Sequence, residues 1–227
     1  MRHILVIAYL LTCTYTPFHA SDDITWGIAL SPTTSLDQAR LLIAKHKPAY
    51  LSVPWQHTET EFVGRIKETC ANYGLPCALI LAFEYVTLKE VAATFAACNM
   101  NYIISTTIPA VKEVKKMQTM LRCMKEKLPP SSTLLCTIGA TEAPLIPAIT
   151  QTPIDGVYLT EPTQDMIRTI NTHVEKRNTE FLVVALTNKE TMHNARETCD
   201  GAHIIMHRDS EMLKLMDQKR STARPKL

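Results

Sequence analysis

Residues 180–207, EFLVVALTNKETMHNARETCDGAHIIMH, decide the fold. The apolar run Phe181 to Ala185, with β-branched Val183 and Val184 at its centre, is followed by a polar turn and an amphipathic segment. That segment closes at Asp200-Gly201, and a second apolar run, Ala202 to Met206, begins at once. The pattern predicts a βαβ unit with short loops, and each strand is apolar throughout, as expected when both sheet faces are covered.

The same alternation extends back to the start of the chain. Strands are predicted over Ile24 to Leu30, Tyr50 to Val53, Pro76 to Phe83, Tyr102 to Thr106, Thr133 to Ile138 and Gly156 to Leu159. Between them lie helical patterns. Ser35 is a good N-cap for a stripe of Leu36, Ala39, Leu42 and Ile43. Gly74 ends the helix Thr58 to Tyr73, and Thr87 with Glu90 forms a capping box. Pro109 opens a long helix to Lys127 whose Met117, Leu121 and Met124 have core spacing. Pro144 and Pro147 interrupt the helix after strand five. Glu211 to Met216 supplies the eighth helix. Eight strands alternating with eight helices favour closure into a (β/α)8 TIM-type barrel over an open doubly wound sheet.

A chain of 227 residues with 46% hydrophobic and 20% charged residues is an ordinary folded domain. A formal charge of +2 supplies no large field, so nucleic acid is not indicated. Residues 1–20 read as a leader: Arg2 and His3 precede an apolar stretch, Ile4 to Thr12, too short to span a bilayer, with a cleavage site after Ala20. An export address follows from that reading. Alternatively, Leu10-Leu11-Thr12-Cys13 resembles a lipoprotein box with a lipid anchor at Cys13, or the segment packs on the domain and the chain is cytoplasmic. Residues 21–218 are then one barrel, and 219–227 a basic, frayed tail. Without Cys13, six of the seven cysteines remain, of which Cys70 and Cys77 are the best-placed disulfide pair. Their spacing provides no zinc ligand set.

In such a barrel, reactive groups sit at the C-terminal strand ends and in the loops beyond. Those positions carry Trp55, Gln56 and His57, then Glu84, Thr107, Glu161, Asn188, and finally His207 and Arg208. Glu84 and Glu161 each terminate an apolar strand, and two carboxyls across a mouth can serve as general acid and base, with His57 as a further proton carrier. Trp55, Gln56, Thr107, Asn188, His207 and Arg208 are the candidate ligand contacts, although Asn188 also suits the N-cap of the following helix. The six glycines leave the loops after strands seven and eight without a phosphate cradle. GxGxxG, GxxxxGKS, GxSxG and HExxH are all absent, so neither a cofactor nor a metal is expected.

Three segments resemble the alpha subunit of tryptophan synthase, within the ribulose-phosphate-binding barrel group. Ala49-Tyr50-Leu51-Ser52-Val53-Pro54-Trp55 is similar to that family's second strand, Asn101 to Pro109 to its fourth, and Cys199-Asp200-Gly201-Ala202-His203-Ile204-Ile205 to its last. The resemblance implies a barrel, but its functional residues are not retained. Tyr50 stands at the place of a catalytic glutamate, Glu61 near that of a catalytic aspartate, and Met206-His207 at that of a glycine-serine. The expectation is a diverged barrel without the family's lyase activity, binding a small polar ligand or a protein partner at its C-terminal mouth. The alternative is an active hydrolase or lyase using Glu84, Glu161 and His57.

Overall fold

A computed structural model describes residues 25–54, 60–74, 78–83, 103–107, 114–128, 130, 132–175, 180–187 and 195–209. The strands are β1 (Thr25–Ala29), β2 (Tyr50–Pro54), β3 (Ala78–Phe83), β4 (Ile103–Thr107), β5 (Thr133–Ile138), β6 (Gly156–Thr160), β7 (Leu182–Thr187) and β8 (Ile204–Arg208). All pair in parallel in sequence order, and β8 returns to β1, closing the barrel. The (β/α)8 expectation is met.

The described helices are α1 (Leu36–His46), α2 (Thr60–Asn72), α3 (Val114–Lys127), α4 (Ile146–Ile149), α5 (Gln164–Val174) and α6 (Ala195–Thr198). Ser35 caps α1 in a reciprocal box: the Gln38 amide donates to Ser35 Oγ at 3.2 Å and the Ser35 amide donates to Gln38 Oε1 at 2.9 Å. Pro144 and Pro147 have the effect foreseen. A 3-10 turn, Ala140–Leu145, precedes the single turn of α4. The leader, the tail, the helix expected from Thr87 and the eighth helix lie outside the described residues. Cys70 is buried on α2, and Cys77, its expected disulfide partner, lies outside the described residues.

Strand periodicity divides the core in two. Outward-facing Ile28, Leu51, Val53, Leu81, Cys136, Val157, Val183 and Ile205 pack on Leu42 and Ile43 of α1, Ile66 of α2, Leu121 and Met124 of α3, and Ile167 and Ile170 of α5. Ala29, Tyr50, Ile80, Ile103, Leu135, Tyr158, Val184, Leu186, Ile204 and Met206 fill the interior.

At the opposite end of the barrel from the candidate site, Asp155 ties the β5 entry to α3. Its carboxylate accepts from Lys125 Nζ at 2.5 Å and from the Leu134 amide at 2.7 Å, and Lys125 also donates to the Ser132 carbonyl at 3.1 Å. Asp155→Ala should therefore cost about 2 kcal/mol in urea unfolding, because it strands an amide and a partly buried ammonium together. Lys125→Ala should cost less, since water can reach the partly exposed Asp155 carboxylate in place of the lost ammonium.

The one displacement from expectation that matters is at β8. The apolar run predicts a strand over Ala202 to Met206, whereas the strand spans Ile204–Arg208 and pairs Ile28 with His207 and Ala29 with Arg208. Polar His207 and Arg208 extend the strand because both backbone ladders, to β1 and β7, continue past Met206. Placing them within the strand forces them to opposite faces.

Candidate functional site

At the C-terminal half of the barrel the interior changes from aliphatic to polar. Ser52 on β2, Ser105 on β4, Thr137 on β5, Tyr158 on β6 and Arg208 on β8 share the inward register of Tyr50, Ile103, Leu135 and Met206. Ser105 and Thr137 hydroxyls hydrogen-bond at 2.5 Å. Tyr158 is buried, hydrogen-bonds the Ser52 side chain and feels the charge of Arg208. Burial pushes its phenol up to about 12, with the Ser52 hydrogen bond and the Arg208 charge pulling the other way. The phenol is consequently a neutral hydrogen-bond donor at physiological pH. Arg208 itself is exposed at the rim. A cation thus stands at the mouth above a tyrosine and a belt of hydroxyls.

His207 has a different setting. Its ring faces outward and stacks on Trp26, with centroids 4.9 Å apart and planes 3° from parallel. The buried Thr187 hydroxyl donates to the Met206 carbonyl at 2.9 Å, so its contact with His207 Nδ1 at 3.0 Å is one it accepts. The imidazole is therefore the Nδ1–H tautomer, held in place by the barrel wall. The ring therefore lies on the opposite face of β8 from the inward register of Arg208. Burial first, and then the nearby His46, lower its pKa.

A stability consequence follows, with a definite sign. A histidine whose folded pKa is depressed contributes stability that is present above the unfolded value, about 6.5, and lost as pH falls through the folded one. Denaturant midpoints should thus fall on acidification below about pH 6.5, and His207→Asn should flatten that fall. A midpoint equally pH-dependent in the variant would assign the effect to other groups.

Glu161, directly after β6, is exposed and has a left-handed backbone, φ 55°, which is uncommon for a non-glycine residue. Beside it, Glu142 Oε2 accepts from the Gly139 amide at 2.9 Å, and the Thr141 hydroxyl donates to Oε1 at 2.7 Å. Thr107 ends β4 opposite Thr137. Trp55, Gln56, His57, Glu84 and Asn188 lie outside the described residues, so the carboxylate pair is described only at its Glu161 end. Cys136 and Cys199 have thiols pushed upward by burial, Cys199 to about 11, which keeps both protonated and unreactive. Among the described residues no group of three or more His, Cys, Asp or Glu side chains could hold a metal, and no helix is long and apolar enough to cross a membrane.

Strand-end reasoning did not find Ser52, Ser105 or Tyr158. The signal was available: each is a polar or amphipathic residue at an alternate position of an otherwise apolar strand, in YLSVP, IISTT and GVYLT.

Solved structures share this architecture. An HpcH/HpaI aldolase/citrate lyase family protein from Burkholderia cenocepacia superposes with a TM-score of 0.63 at 12% identity, covering 91% of this chain and 96% of that one. The likeness is one of fold. An HpcH/HpaI aldolase from Desulfitobacterium hafniense gives 0.59 at 13% identity over 90% and 95% of the two chains. Dihydrodipicolinate synthase from Bacteroides thetaiotaomicron gives 0.59 at 14% over 85% and 72%. No protein-family model and no curated sequence matches the chain. The barrel that the resemblance to the tryptophan synthase alpha subunit implied is present, but the neighbours named here are aldolases and a synthase, which do not support that family.

Proposed function

We propose that this barrel binds a small carboxylate at its C-terminal mouth, with Arg208 as the anchor, in a site of the lyase type. The observation that carries the proposal is the inward register of Arg208 above Tyr158. A guanidinium offers a carboxylate two parallel N–H donors in a fixed plane, which a lysine or histidine cannot. The protonated phenol beneath it is a second donor, suited to a carbonyl or hydroxyl oxygen on the same ligand. The fold neighbours' names refer to citrate and dihydrodipicolinate, both carboxylates, which supports this ligand class. Glu161, on its strained turn at the rim, is the carboxyl best placed to exchange a proton with such a ligand. Glu84 and His57 are its proposed partners across the mouth, and export remains the proposed address.

The test is a thermal-shift series with citrate, malonate, pyruvate and acetate against wild type and Arg208→Gln. A ligand that binds only the native state raises its melting temperature. At least one carboxylate should raise that of the wild type and leave the variant unmoved. Equal shifts in both proteins would remove Arg208 from the site, and no shift with any of the four would reject the ligand class.

A further inference from the structure

The barrel closes where β8 lies between β7 and β1, and His203, the residue before β8, is bonded to both neighbours. Its amide donates to the Val183 carbonyl at 2.9 Å, and its carbonyl accepts from the Thr25 amide at 3.3 Å. The side chain makes a third link. The amide of Val183, a buried residue of β7, donates to His203 Nδ1 at 3.0 Å. An imidazole nitrogen therefore stands where a parallel ladder ordinarily uses a backbone carbonyl. To accept that hydrogen the ring must be neutral, with its proton on Nε2, because a protonated imidazole has two N–H groups and no acceptor. His203 is exposed even though this nitrogen is bonded to the ladder, so water can deliver a proton to the ring.

We infer that His203 is an acid-sensitive latch on the closing seam of the barrel, engaged while its ring is neutral and released when Nδ1 takes a proton. In that step hydronium gives up a proton, one N–H bond forms at Nδ1 and water is left. Two N–H groups then oppose each other, and the Val183 amide loses its acceptor. The entries to β7 and β8 loosen, while the ladder from Val184 to Thr187 against Ile204 to His207 holds the strands beyond them. Burial lowers the pKa of the ring, and the Glu180 carboxylate, just ahead of β7, pulls it the other way. The latch is consequently engaged at neutral pH. A histidine with a depressed folded pKa lends stability that is present above the unfolded value, about 6.5, and lost as pH falls through the folded one. Of the elements around the ring, α5 brings the uncharged Asn171, which donates to the Gly201 carbonyl at 3.3 Å. Asp200 precedes His203 in the same loop, and Asp155, whose carbonyl accepts the Leu182 amide, has its carboxylate bound to Lys125. In sequence, Asp22 and Asp23 precede β1, and Lys176 and Arg177 precede Glu180. His207 is bonded to Thr187, so the two histidines act at separate places along the β7–β8 seam.

The experiment is nitrogen NMR on the isotope-labelled full chain, titrated from neutral to acid pH. At neutral pH a scalar coupling should connect the Val183 amide nitrogen to His203 Nδ1 through the hydrogen bond. The coupling should vanish as the ring protonates. Over the same range Val183 amide exchange, corrected for the intrinsic effect of pH, should quicken by about tenfold, as expected for one lost hydrogen bond. His203→Gln supplies an amide oxygen that can accept the same hydrogen and does not titrate, so its Val183 amide should stay protected throughout. The coupling is read in wild type, so the test does not depend on the variant folding. Absence of the coupling at neutral pH, or Val183 exchange that is unchanged while the His203 ring titrates, would overturn the latch. An equal acid-dependent loss of protection in His203→Gln would also overturn it, by assigning the effect to another group.

Discussion

Gly156→Ala should destabilise the barrel by about 3 kcal/mol, near the upper end of what overpacking usually costs. A Cβ at that position would lie 2.2 Å from the Leu182 carbonyl oxygen and 2.8 Å from Leu135 Cδ2. The first of these is the decisive contact. Leu135 can rotate, but the Leu182 carbonyl belongs to the neighbouring strand, in register with Gly156 across the β6–β7 ladder. The backbone would have to move, and in a closed sheet a shift in one pair is passed to the next. For a chain of this length the melting temperature should fall by roughly 6–12 °C. Gly27→Ala is the informative contrast. Its Cβ would meet Met206 Sδ at 2.4 Å, the end of a flexible side chain, but also the Tyr50 carbonyl oxygen at 2.7 Å. It should cost less than Gly156→Ala but remain measurable. A Gly156→Ala protein as stable as wild type would mean that β6 and β7 are not paired in this register.

Arg208→Gln is expected to weaken carboxylate binding by about 10–100-fold, the usual loss when a charge-assisted hydrogen bond is removed from a site. Glutamine keeps a planar donor but is two bonds shorter and uncharged, so its effect removes the ion pair and the paired donors together. Arg208→Lys should recover only part of the loss, because an ammonium keeps the charge without the paired donors. His207→Gln, one residue away, should leave binding near the wild-type level and act on stability instead, since that ring is packed against Trp26 and Thr187 on the other side of the sheet. Calorimetric titration of the three variants separates these outcomes. Equal losses at 207 and 208 would indicate that β8 ends before His207 and that both side chains lie in a loop.

The contrast between these neighbours shows how far the sequence could be read. Closure into eight units was legible because the apolar runs are long, punctuated and of similar spacing; β5 begins and ends where its hydrophobicity does, at Thr133–Ile138. The end of β8 was not legible by that criterion. Strand extent is set by the ladders to β1 and β7, and a histidine and an arginine can hold those ladders as well as an aliphatic residue can. Once the register is fixed, alternation assigns each side chain a face, and His207 and Arg208 fall on opposite sides of the sheet. Ser52, Ser105 and Tyr158 were hidden for the opposite reason. Each lies within an apolar run and reads as a strand residue, and only the inward parity shared with Tyr50, Ile103 and Leu135 shows that three strands bring polar atoms to one level. Glu161 was found from its place at a strand end, but its left-handed backbone is a property that its side-chain type does not announce.

The polar belt and the rim arginine are one site only if a ligand on Arg208 is felt by the phenol below it. The direct measurement is the phenolic carbon resonance of Tyr158, assigned by Tyr158→Phe, during titration with whichever carboxylate shifts the melting temperature. It should move saturably in wild type and stay fixed in Arg208→Gln at the same concentrations. A carboxylate that binds wild type while the Tyr158 signal stays still would contradict the account and place the ligand outside the barrel mouth.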